Sequence, residues 1–116
     1  MAEFAEHTAE TIEGLDSGAI PADADFTIEQ QVTDDEGVVD HFHVKLVDGS
    51  AVVIDGPAAT PDLTIRQDVE TARQLRDGEI HAQRAFLTGR LEIDGDIDRL
   101  LKHGPLLTTL LRGRDA

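Results

Sequence analysis

The residues of this chain that could do chemistry are few and scattered. His41 and His43 stand two apart in an alternating run, so both project to one face of a strand, a spacing that can seat a metal ion. Two ligands are too few for a closed site. Phe42 marks the opposite face as the buried one, so the pair is expected to face solvent. His7, His81 and His103 have no ligand motif beside them. Ser17 and Ser50 are the only serines, and neither lies in a glycine-flanked nucleophile turn. There is no cysteine, which excludes disulfides, thiolate metal sites and a cysteine nucleophile. Asp94-x-Asp96-x-Asp98 has the opening spacing of a calcium loop, but it lacks the downstream glutamate in register and runs into a helix. Capping and solvation account for it better. Gly89 and Gly95 punctuate a segment without the lysine of a phosphate-binding loop. No catalytic constellation emerges, so a non-enzymatic protein with no metal and no cofactor is expected.

Bulk composition narrows the classes further. At 116 residues the chain has the size of one domain, expected to run 1–116, and can bury roughly two thirds of its unfolded surface. Its 24 acidic and 10 basic side chains give a net charge of -14, a field that repels phosphate backbones. With four Phe and no Trp or Tyr there is also no base-stacking platform, so nucleic acid is not an expected partner. No apolar run approaches the roughly 18 residues a spanning helix needs, so no stable membrane insertion is expected. The N-terminus has no basic region followed by an apolar core, which argues against a secretory signal. A cytoplasmic protein is the expectation. The excess of 15 Asp over two Lys, Lys45 and Lys102, fits either adaptation to high salt or a biased genome.

The elements that must position these residues follow from periodicity. Phe4, Thr8, Thr11, Ile12 and Leu15 recur at helical spacing, which predicts a helix over 2–14 with a thin apolar face, broken by Asp16-Ser17-Gly18. Residues 26–32 and 38–47 alternate as strands, with Phe26, Ile28, Val32 and then Phe42, Val44, Leu46 inward. Asp48-Gly49 is a strong hairpin signal leading to a third strand over 51–54. The three strands form an antiparallel meander. Gly56 to Pro61 then crosses the fold to a fourth strand over 62–66. Asp68 can cap a helix running to about Asp77, with Val69, Ala72 and Leu75 inward. A short helix over 81–87 and a fifth strand over 90–94 follow. Asp96 can cap a last helix over 97–103, Gly104-Pro105 kinks the chain, and Leu106, Leu107, Leu110 and Leu111 form a broad apolar face before a frayed tail over 112–116. The class is α+β, with helices packed on one face of a five-stranded sheet.

This order, with three local motifs, resembles the sterol-carrier-protein (SCP-2-like) family. Asp62-Leu63-Thr64-Ile65 looks like that family's fourth strand, and Leu75-Arg76-Asp77-Gly78 like its helix end. Ala85-Phe86-Leu87-Thr88-Gly89-Arg90-Leu91-Glu92-Ile93-Asp94-Gly95-Asp96 looks like its central run. The match covers about residues 38–103. Its physical content is fold-making: two glycines able to take positive φ, a capping aspartate, Leu91 and Ile93 on one strand face, and Phe86 reaching under that face.

The resemblance implies an apolar tunnel between sheet and helices that holds one lipid: a sterol, an acyl chain or an isoprenoid. The lining it implies is Leu75, Phe86, Ile97, Leu100, Leu101, Leu106, Leu107 and Leu110. Read as residues alone, a leucine stripe at helical spacing is more often the inside of a solid core than a pocket lining, and Phe86 suits either place. A lipid pocket is roughly 300 Å³ or larger. Left empty, such a hollow would cost about 7 kcal/mol at about 24 cal/mol per Å³, comparable to a whole domain's stability of roughly 5–15 kcal/mol. A hollow protein should therefore hold a ligand, hold water, or close its C-terminal helix inward as a lid hinged at Gly104-Pro105. The competing reading is an interaction module with a solid core, whose leucine-rich C-terminal helix forms a homodimer or docks a partner.

Overall fold

A computed structural model describes residues 3–15 and 18–112, with the side chain of Arg112 left aside. The expected break at Asp16-Ser17 and the expected frayed tail from Gly113 lie outside the described residues.

The chain runs α1 (Glu3–Glu13), β1 (Phe26–Asp34), β2 (Gly37–Val47), β3 (Ser50–Asp55), β4 (Leu63–Asp68), α2 (Val69–Arg76), α3 (Ala82–Leu87), β5 (Leu91–Gly95), α4 (Ile97–Lys102) and α5 (Gly104–Arg112). The strands form one sheet in the order β3-β2-β1-β4-β5. The meander β1-β2-β3 is antiparallel throughout. Its second turn places both Asp48 and Gly49 at positive φ, the geometry a two-residue hairpin loop requires. The crossover brings β4 beside β1 in the only parallel ladder of the sheet, and β5 returns antiparallel to β4.

Period-two alternation assigns the two faces. Phe26, Ile28 and Val32 of β1, Phe42, Val44 and Leu46 of β2, Leu63 and Ile65 of β4 and Leu91 of β5 are buried on one face, where the helices pack. Gln30, Asp40 and Gln67 occupy positions of the same inward set and are buried as well. Asp40 caps α1 across the fold: its Oδ2 accepts from the backbone N–H of Phe4 at 2.9 Å and of Ala5 at 3.0 Å. The thin face of α1 is completed by Thr8 and Thr11, whose hydroxyls donate to the carbonyls of Phe4 and His7.

Two expectations need correction. The Gly56–Pro61 crossover passes over the helix-free face, and it half-covers His41 and His43 there. Glu29, also on that face, accepts from the backbone N–H of Ala58 at 2.9 Å and lies 3.0 Å from His41 Nε2. His43 Nδ1 lies 2.9 Å from the carbonyl of Gly56. The histidines are hydrogen-bonded anchors of the crossover rather than free, solvent-facing groups. The second correction concerns α4, expected as the last helix: Gly104-Pro105 starts a further one, α5. Leu106, Leu107, Leu110 and Leu111 are all buried in the main core, so α5 is packed inward as a wall of the protein.

Candidate functional site

One cleft of about 400 Å³ opens where the sheet ends and the short helices begin. Its floor is Ile65 of β4 with Leu91 and Ile93 of β5, and Ile65 and Ile93 are ladder partners. One wall is α3, through Ala82, Gln83, Phe86 and Leu87. The other is α4 and α5, through Leu100, Leu101, Gly104, Leu107, Thr108 and Leu111. The mouth is open, because Phe86, Leu87 and Leu101 are 42%, 74% and 76% exposed. Large apolar side chains left in water around a concave apolar surface mark a binding region more often than chance surface.

The local sequence explains how this lining is held. Asp96 caps α4, accepting from Arg99 N–H at 3.3 Å, and fixes where α4 leaves the sheet. Gly95 sits at φ 120, where a Cβ would come within 2.1 Å of the Asp62 carbonyl oxygen. That closeness lets Asp96 N–H reach the same oxygen at 2.8 Å and locks the end of β5 to β4. Asp62 also accepts from Thr27 N–H through Oδ2 at 2.8 Å, so it ties β1 into the same corner. Asp68 caps α2 with an acceptance from Thr71 N–H at 2.7 Å. Burial works against the Asp68 charge, yet the Thr71 bonds, the largest influence, hold its carboxyl below the usual aspartate value.

The expected lining divides. Phe86, Leu100, Leu101 and Leu107 meet in the cleft. Leu75 is 1% exposed in the core, where α2 packs on the sheet and on α5; Leu110, 2% exposed, lies outside the cleft and borders a small hollow between α1, α2 and α5. Leu106 faces the other side of α5, bordering a shallower hollow with Leu15, Pro21 and His103. Ile97 is 48% exposed on α4 and outside the cleft lining. The floor residues Ile65, Leu91 and Ile93, with Leu87 and Leu111, were not in the expected set. The signal for Leu91 and Ile93 was present, since both share the strand face under which Phe86 reaches.

Among the described residues the cleft has no charged lining residue; its polar members are Gln83 and Thr108. It can hold an apolar molecule by burial, but it offers no general acid, base or nucleophile. Among the described residues no cluster of three or more His, Asp or Glu could hold a metal ion, and no helix is long and apolar enough to cross a membrane.

Comparison with known proteins bears on the same region. The model of the SCP-2 sterol transfer family matches residues 13–108, which include the whole sheet and every cleft residue except Leu111. No curated protein matches the chain by sequence. Among solved structures, the sterol carrier protein domain 2 of Helicoverpa armigera superposes with a TM-score of 0.74 at 18% identity, covering 91% of this chain and 86% of that one. Sterol carrier protein 2 like 2 from Aedes aegypti gives 0.73 at 20% identity, covering 89% and 92%. A palmitated form of that same Aedes aegypti protein gives 0.70 at 21% identity, covering 94% and 96%.

Proposed function

The chain belongs to the SCP-2 sterol transfer family, and from that premise we propose that it is a non-enzymatic carrier that binds one apolar lipid in the cleft between β4-β5 and helices α3, α4 and α5. The observation that carries the reading is the cleft itself. It is about 400 Å³ in volume, apolar on floor and walls, and rimmed by exposed Phe86, Leu87 and Leu101. That volume lies within the range of roughly 300–1,000 Å³ found for small-molecule sites. The palmitate borne by the Aedes aegypti structure supports an acyl chain as one ligand class.

Binding here would rest on burial. Each methylene transferred from water into the cleft contributes about 0.8 kcal/mol, or about fourfold in affinity. Discrimination should follow chain length more than headgroup. The lining has one aromatic residue, Phe86, so stacking on a sterol or quinone ring adds little.

The competing reading, a dimer through the leucine-rich last helix, has less support. The α5 leucines it would use are buried within the chain. Native mass spectrometry before and after organic extraction tests the carrier reading. An extractable apolar mass on the purified protein, restored by added lipid, is expected. Absence of that mass, with no thermal shift from fatty acids, alcohols or sterols, would overturn it.

A further inference from the structure

Behind the cleft lies a much smaller, partly open hollow of about 10 Å³, lined by α1, α2, α5 and the sheet. That is close to the space of one water molecule. Unlike the cleft, it has a polar lining that includes His7 and Gln67. Gln67 is only 7% exposed, and among the described residues its Oε1 has no hydrogen-bond partner; neither has the buried Nε2 of half-buried His7. A buried polar atom without a partner is uncommon and destabilising, so a group that satisfies both is the natural occupant. Arg76 also borders this hollow, but its guanidinium is already paired with Glu3 and Asp77.

The two hollows are neighbours along one floor. Gln67 is two residues beyond Ile65 on the same face of β4, and its ladder partner across the sheet is Leu91. Ile65 and Leu91 are both floor residues of the cleft. Leu111 lines both hollows and divides them.

We infer that the cleft and the polar hollow are the two ends of one ligand site, which takes a long-chain alcohol with its hydroxyl at the buried end, past a displaced Leu111. The inference rests on the carrier reading above and adds the ligand's chemical class and direction. A hydroxyl can donate to Gln67 Oε1 and accept from His7 Nε2–H in the tautomer that carries the proton there. A methyl end can do neither. An ionised carboxylate has no proton for the Gln67 carbonyl and would bring its charge against that oxygen.

The test is competition of 1-dodecanol, dodecane and dodecanoate at pH 8 against a fluorescent alkyl probe, on the full chain and on Gln67→Leu and His7→Leu. The wild type should prefer dodecanol over dodecane by about threefold to tenfold, as one net hydrogen bond allows. Each variant should erase that preference while still binding dodecane. Two variants keep the test decisive if one fails to fold. If dodecanol and dodecane bind equally well, or the preference survives both substitutions, the inference is overturned; the carrier reading stands and the hollow holds only water. If none of the three compounds displaces the probe, this inference is overturned, and so is the reading of the cleft as an acyl-chain site.

Discussion

The carboxylate of Glu29 lies 3.0 Å from His41 Nε2, on the sheet face that carries no helix. Burial tends to raise the pKa of Glu29, and it is the largest single influence. The bonds from His41, the Ala58 N–H and Gln31 together outweigh it and hold the carboxyl below its usual value. This acid therefore pins the crossover loop to the sheet when charged.

Because its folded pKa is depressed, Glu29 contributes stability that is present above the unfolded glutamate range and lost as pH falls through the lower folded value. Acid titration of chemical stability should show this loss below the usual glutamate pKa. Glu29→Gln should cost about 1–3 kcal/mol at neutral pH and flatten the acid limb. An acid limb identical to that of the parent protein would contradict the role given to Glu29.

Asp40 should matter to α1 more than any residue within α1. Asp40→Ala removes the acceptor for both Phe4 and Ala5 N–H, and a lost cap costs about 0.5–2 kcal/mol. Amide exchange should accelerate through residues 4–12 first, while β1 and β2 stay protected. Asp40→Asn, which keeps an acceptor oxygen, should recover part of the loss.

Gly95 and Gly89 both have positive φ, yet they should respond differently to alanine. At Gly89 an added Cβ meets nothing within 4 Å, so the change costs the left-handed penalty of about 1–2 kcal/mol. At Gly95 the Cβ would stand 2.1 Å from the Asp62 oxygen, so backbone must move. Gly95→Ala should cost clearly more than Gly89→Ala in urea denaturation. Equal costs would mean that the β4–β5 corner is not the tight junction described.

Cleft and core leucines should separate stability from binding. Leu101→Ser removes a 76% exposed side chain at the mouth. It should leave stability within about 0.5 kcal/mol and weaken lipid binding by about 1 kcal/mol. Leu75→Ala, buried in the core, should cost about 2–5 kcal/mol of stability, with little change in affinity of the folded fraction. Thermal melts read alongside lipid titrations distinguish the two classes.

The elements were legible because their signals are local. Asp48-Gly49 specified its hairpin, Asp68 and Asp96 their helices, and alternation from Phe26 to Ile54 the meander. The parallel pairing of β1 with β4 has no local signature, and only the structure reveals it. The site was half legible. Leucine spacing finds a helix face but not which turn of that face meets a gap, so Leu75 and Leu110 could not be told from Leu100 and Leu107. The depth of α5 decides it, and that depth depends on contacts with α1, α2 and α3. His41 and His43 escaped for the same reason. The loop that covers them is joined to them through Glu29, the carbonyl of Gly56 and a backbone bond from Gly56 N–H to the His41 carbonyl.

Helix α4 forms part of the cleft wall without a single buried residue of its own. Beside Leu100, which packs against the core, polar contacts of its cations tether it: Arg99 reaches Asp96 and the Asp25 carbonyl, and Lys102 lies 2.8 Å from Asp23. Exposed pairs of this kind weaken as salt screens them, whereas the apolar floor does not. Ionic strength would then act as a throttle on ligand exchange, loosening the doorway while leaving the rest of the room intact.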